Sequence, residues 1–380
     1  MKRKFIIGLM LGLLLAGLPL DGLAQKRAKK RKATSKTRTV KAPPAIRIDA
    51  TPEEPPPTVE SPTIKVVPAS AETIAARSSL LAALPASDAV AFVDVKRILN
   101  DALPVILASD PKRLAQVHAQ LDKFKQQTSL DPRQFENIAV GLRLTPNAGG
   151  FDAKPVALVR GAFKAGALIA AGRFAAKSRQ EEYKGKQVFL FDIGDALKDI
   201  PFLNSLSKDL AVTELSEDTL VLGDMATVKE VLDANGDGPR ASSELVAMAT
   251  RNPNALIGLG VNVPAGAIGK SFDLDVENDE IGKTVNAIRQ AAVNLSLQES
   301  GAEIAIAART DKEAEAKNLT DTLNALKQFA GLALGGLKPD QQKLATNALE
   351  TLKVAQNGNE MQVSLGISRN DFPALLGLLK

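Results

Sequence analysis

The sequence predicts an α+β fold: two similar halves of antiparallel hairpins covered by helices, preceded by a signal peptide and a disordered basic and Pro-rich segment. Three observations carry this. The stretch 291–334 reads strand, tight turn, strand, helix. The order of elements between 89 and 234 recurs from 255 onward. The composition of the first 73 residues differs from everything after them. The 380 residues therefore divide into a signal peptide (1–24), a basic then Pro-rich linker (25–73), a first α+β half (74–250) and a second (251–380).

In the 291–334 stretch, Val293, Leu295 and Leu297 alternate with Asn294, Ser296 and Gln298, the period-2 pattern of a strand with one buried face. This reading makes Asn294, Ser296 and Gln298 the outward residues and the first place to look for a binding face. Ser300-Gly301 supplies a turn, and Ile304 and Ile306 lie on the buried side of the returning strand. Thr310 with Glu313 predicts a capping box, and Leu319, Leu323, Leu326 and Ala330 form one helical stripe.

The folded part begins near Ile74 with a short Ala/Leu helix, followed by a strand over 89–95 and a helix over 111–127 whose face carries Leu114, Val117, Leu121 and Phe124. Strands are expected over 138–144, 155–163, 187–192, 210–215 and 219–223, with helices over 166–176, 225–234 and 243–249. The second pass runs strand (255–263), helical linker (281–288), the 291–334 unit, helix (339–349), hairpin (352–355 with 361–367) and helix (372–379). Hairpins alternating with helices give an α+β fold and not a doubly wound parallel sheet.

Lys2, Arg3 and Lys4 precede an apolar run over 5–20, and Gly22 and Ala24 stand at −3 and −1 of a cleavage site before Gln25, the anatomy of a secretory signal peptide. The expected location is periplasmic or secreted, associated with the envelope. The chain has no Cys, which excludes a lipid-anchored lipoprotein, disulfides and thiolate metal sites. The net charge of +5 divides unevenly. Residues 1–24 carry +2, 25–41 carry +9, 43–73 carry −3, and 74–380 therefore carry −3. Lys26, Arg27, Lys29, Lys30, Arg31 and Lys32 open the basic run. A mildly acidic folded part excludes the basic face that nucleic-acid binding needs. The basic run instead suits an anionic envelope surface, either lipid headgroups or cell-wall polymers, with each Lys or Arg near such a bilayer worth about 1 kcal/mol. One Tyr, no Trp and 13 Phe leave no aromatic platform for sugars or single-stranded nucleic acid.

No cofactor is required by any complete motif; calcium is the one candidate. Asp233, Asn235 and Asp237, Gly238 at the sixth position and Glu244 at the twelfth fit the EF-hand loop, because Ca²⁺ takes several oxygen ligands at once. Pro239 and Arg240 at the seventh and eighth positions, and the lack of a second loop, count against it. Asp273, Asp275, Glu277, Asp279 and Glu280 form an acidic cluster from which a carboxylate-dependent hydrolase is a further alternative. The 264–271 run misses the phosphate-binding loop because Pro264 replaces its first Gly. His118, the single histidine, sits beside Val117 and Leu121 in a helix, and no Gly-x-Ser-x-Gly elbow exists to use it. The leading expectation is a non-enzymatic binding or scaffold protein.

Leu84-Pro-Ala-Ser-Asp-Ala-Val-Ala-Phe-Val-Asp-Val95, Phe135-Glu-Asn-Ile-Ala-Val-Gly141 and Arg251-Asn-Pro-Asn-Ala255 resemble exported bacterial proteins of a family with no assigned function. The resemblance covers roughly Ser78 to the C-terminus. It implies an envelope location and a duplicated α+β plan, and carries no catalytic residue across.

Overall fold

Five of the six residues of Ala89–Asp94 (β1) are apolar and all six are buried, which places this strand between two others with both faces covered. In the computed structural model it pairs antiparallel with Phe135–Asn147 (β2) on one side and, across the sheet centre, with Ala255–Asn262 (β8) on the other. The structure describes residues 68–380 except 129–130, 148–149, 176, 193–208, 265–266, 268–279, 337–338 and 379–380. Among the described residues no helix is long and apolar enough to cross a membrane.

From β1, the sheet continues through β2, Gly150–Gly161 (β3), Thr219–Gly223 (β7), Asp209–Ser216 (β6), Lys186–Asp192 (β5) and Ser178–Tyr183 (β4). From β8 it continues through Ile288–Gln298 (β9), Gly301–Thr310 (β10), Glu360–Ser368 (β12) and Lys353–Asn357 (β11). Each half thus lays down a central strand, a hairpin beside it, and a second hairpin whose later strand lies inside. The first half adds β4 and β5 at its edge. Every pairing is antiparallel, and the 12 strands form one sheet.

Residues paired across a ladder share a face. On one face Val90 and Phe92 pack with Leu80 and Leu81 of the helix Ala71–Ala82, Val228 and Val231 of Met225–Ala234, and Leu245 and Met248 of Ser243–Ala249. On the other, the helix Ala165–Ala175 covers Phe189, Phe191, Val212 and Leu220 through Ile169. The helix Glu313–Ala333 covers Ala308 and Met361 through Leu319.

Three local expectations are corrected. The strand β9 alternates as the sequence indicates, but both of its faces are covered. Asn294 and Ser296 are buried, on the ladder face they share with Gly258 and Ala292, while on the opposite face Val293 and Leu295 are half-buried and Leu297 is buried; of the three residues expected to face outward only Gln298 is exposed. The cause is the closeness of the helix Ser243–Ala249. A Cβ on Gly258 would stand 2.0 Å from the Ala249 carbonyl oxygen, so this face takes small residues, polar or not. Next, the helix after β10 starts later than the sequence suggests. Its N-cap is Lys312, whose backbone N–H donates to the Glu315 carboxylate at 3.3 Å, while the Thr310 hydroxyl donates to the Lys312 carbonyl at 2.8 Å. Finally, β4 went unseen in the sequence because Ser178–Tyr183 is polar on both faces, the composition of an edge strand protected by charge. It is joined to β5 by Lys184 and Gly185, both at positive φ.

Candidate functional site

The loop with the calcium pattern is a helix ending stitched to another segment. Asp233 lies in the last turn of Met225–Ala234 and Asn235 is its C-cap; Asp237 is exposed, and Glu244 lies in the first turn of Ser243–Ala249. The Asp233 carboxylate accepts the Tyr183 hydroxyl at 3.0 Å and pairs with Lys184, whose hydrogen bond holds it below the usual carboxylate range. Glu244 instead accepts from Arg309 at 2.6 Å. The Asn235 side chain donates to the Val231 carbonyl at 3.1 Å. The Arg240 guanidinium reaches back into the loop, Nε donating to the Ala234 carbonyl at 2.6 Å and Nη2 to the Gly236 carbonyl at 3.4 Å. A cation therefore already occupies carbonyls of this loop, and its carboxylates face different partners. No group of three or more metal-ligating side chains forms among the described residues. The loop's backbone serves the fold: the Ala86 N–H donates to the Pro239 carbonyl at 3.1 Å and the Ala241 N–H to the Leu84 carbonyl at 3.0 Å.

The acidic run Asp273, Asp275, Glu277 and Asp279 lies outside the described residues, as do the basic residues Lys26 to Lys32 and the whole 1–24 segment; Glu280 opens the helix Glu280–Asn286. His118 is exposed on Pro111–Thr128.

Two concavities meet around the turn that begins the second half. The larger, about 490 Å³, is lined by Glu244, Arg251, Arg309, Asn357, Asn359, Glu360 and Gln362. Arg251 donates both guanidinium ends to Glu360 at 2.7 Å, a bidentate pair, and Arg309 stands 3.6 Å from the same carboxylate. The Arg251 hydrogen bonds hold the Glu360 carboxyl below its usual range, and Glu360 raises Arg251 in turn. The smaller concavity, about 300 Å³, is lined among others by Arg97, Asn252, Asn254 and Glu299. Here Arg77 donates to the Pro253 carbonyl and Arg97 to the Asn254 carbonyl, each at 3.2 Å, and the Asn254 side chain accepts the Ala69 N–H at 3.1 Å. Two arginines thus grip the Arg251–Asn254 turn, Arg77 from the first helix and Arg97 from the short helix Val95–Arg97 after β1, and the turn's own Arg251 ties it to β12.

Chemically, this arrangement clamps. Glu360 is buried and ionised, and its guanidinium partners are engaged by carboxylates. Because the folded pKa of Glu360 is depressed, the stability it contributes is present above the ordinary Glu range and is lost as pH falls through the folded value. Replacing Glu360 by Gln is expected to cost about 1–2 kcal/mol at pH 7, discounted for the half-exposed Arg251. Urea unfolding of both proteins from pH 7 to pH 3 checks this, since the gap should close toward the acid end.

The sequence named none of these arginines as site residues. Arg251 and Asp94 stood inside the phrases quoted for family resemblance, and those phrases converge in the fold. Asp94 pairs in register with Asn137, and Arg77 joins Asp94 to Pro253. A usable signal for Arg77 was its place three and four residues before Leu80 and Leu81, a charge on an apolar stripe.

No protein-family profile matches the chain, and no curated protein matches it. Among solved structures it is similar to TP0453 in several crystal forms. Form I has 8% identity and a TM-score of 0.40 over 79% of this chain and 97% of that one. Form IV has 8% identity and a TM-score of 0.43 over 78% and 95%. Form III has 8% identity and a TM-score of 0.41 over 82% and 98%.

Proposed function

We propose that this chain is an exported, non-enzymatic binding or scaffold protein of the bacterial envelope, held at an anionic surface by its basic segment. The observation that supports this is the division of charge: nine basic and no acidic residues over 25–41, against a net charge of −3 from Ile74 onward. A cationic segment on a Pro-rich spacer attaches electrostatically without ordering the folded unit. The grip of Arg77 and Arg97 on the Arg251–Asn254 turn, and the pair that Arg251 makes with Glu360, suit a rigid module carried by such a tether.

The test uses the full chain and a variant with Lys26, Arg27, Lys29, Lys30, Arg31 and Lys32 all replaced by Gln. Co-sedimentation with phosphatidylglycerol-containing vesicles and with cell-wall sacculi is expected to fall by far more than tenfold in the variant, since six such charges at about 1 kcal/mol each supply roughly 10⁴-fold. Binding of the unaltered chain should also weaken as salt rises. Equal binding by the two proteins would sink the tether.

A further inference from the structure

The large apolar side chains that stand exposed among the described residues are three: Ile306 at 38%, Leu326 at 46% and Phe329 at 66%. All belong to one helix-and-strand pair. On the helix Glu313–Ala333, Leu319 is 5% exposed and packs with Ala308 and Met361, with Leu323 beside it. Leu326 is seven residues beyond Leu319, two turns along the same stripe, and Phe329 follows three residues later. The stripe that is core at Leu319 is open at Leu326. On the sheet, Ile306 lies two residues before Ala308 on the same face of β10. Seven helical residues advance about 10 Å and two strand residues about 7 Å, so Ile306 and Leu326 stand at similar depth. At that level the apolar stripe is uncovered and forms an exposed apolar edge.

We infer that this edge inserts into the headgroup–acyl boundary of an anionic lipid bilayer. The inference rests on the proposed attachment through the basic segment and names its lipid partner. Leu and Phe side chains offer no hydrogen bond to select a polar ligand, and the strand beneath has its backbone groups in the ladders of β9 and β12. The charge pattern gives the surface. The folded unit, with net charge −3, is not drawn to an anionic bilayer by its own charge, while 25–41, with +9, is. One weak anchor gives reversible attachment and two give stable attachment, so the basic segment and the apolar edge act as the two signals.

The chain contains no Trp, so Phe329→Trp in the full chain creates a single reporter at the edge, and His118→Trp, on an exposed helix position elsewhere, is its control. With vesicles of phosphatidylglycerol and phosphatidylcholine, emission from the Trp at 329 is expected to shift to shorter wavelength. Brominated acyl chains should quench it, and the control should stay unchanged. The double variant Leu326→Gln/Phe329→Gln, altered only at exposed positions, should bind these vesicles on the order of tenfold more weakly while unfolding at the same temperature. Co-sedimentation without any shift or quenching at 329 would overturn the insertion and leave the basic tether standing. A shift that grows with protein concentration in the absence of lipid would also overturn it, by assigning the edge to a second copy of the chain. Absence of co-sedimentation by the unaltered chain would remove the tether and the insertion together.

Discussion

Arg77→Ala is expected to cost about 3–5 kcal/mol, the penalty for stripping the partner from a buried charge. Arg77 is 1% exposed and donates to the Asp94 carboxylate at 3.1 Å, with both side chains closed off from water. Its guanidinium lies 4.0 Å from the centre of the Phe92 ring and donates to the Pro253 carbonyl at 3.2 Å. Burial pulls Arg77 down and pushes the Asp94 carboxyl up, and each is kept charged by the other. Without the guanidinium, Asp94 holds an uncompensated charge, and the turn into β8 loses its grip on the first helix. Against a total stability of about 5–15 kcal/mol this is enough to populate unfolded chain. Urea unfolding checks the size of the loss. The double variant Arg77→Met/Asp94→Asn should recover most of it, since Met refills the volume and Asn keeps an oxygen for the Arg97 N–H that Asp94 accepts at 3.1 Å. A loss below about 1 kcal/mol in the single variant would show that the pair contributes little.

What sequence reasoning captured and what it missed divide along a physical line. Periodicity reports how far a side chain is from water along one element, so the hairpin β9–β10, the helix after it and the α+β class were legible from alternation, Gly301 and the Leu319 stripe. It does not report how close the covering layer comes. Asn294 and Ser296 were read as outward because they are polar, yet they are small because the helix Ser243–Ala249 presses on that face. Composition likewise cannot distinguish a charge that is solvated from one that is clamped. Arg77, Asp94 and Glu360 are polar letters in the chain and buried ions in the fold. The calcium pattern has the same blind spot. It specifies oxygen-bearing residues at given spacings, but where Asp233 and Glu244 point is decided by Lys184 and Arg309, far away in sequence, and by Arg240 inside the loop.

Gly258→Ala is expected to destabilise by about 3 kcal/mol, the upper end of the usual cost of overpacking, whereas Gly331→Ala should be neutral or stabilising by up to about 1 kcal/mol. The two changes add the same methyl group. At Gly331, within the helix Glu313–Ala333, nothing stands within 4 Å of the added carbon, so the change removes only the conformational freedom of glycine. At Gly258 the carbon would meet the Ala249 carbonyl oxygen at 2.0 Å and the Phe92 ring at 2.3 Å. Neither neighbour can retreat cheaply. Ala249 is backbone at the end of its helix, and Phe92, in register with Gly258 across the β1–β8 seam, is held by the Arg77 guanidinium on its face. Moving the ring would disturb the buried ion pair, and moving the helix would open the core around Leu245 and Met248. The strain therefore concentrates where the two halves of the sheet join, and this predicts coupling. In a double-mutant cycle, Gly258→Ala combined with Phe92→Leu should lose less than the sum of the two single losses, because the smaller side chain frees the space the methyl needs. Strict additivity would show that the helix backbone alone sets the cost.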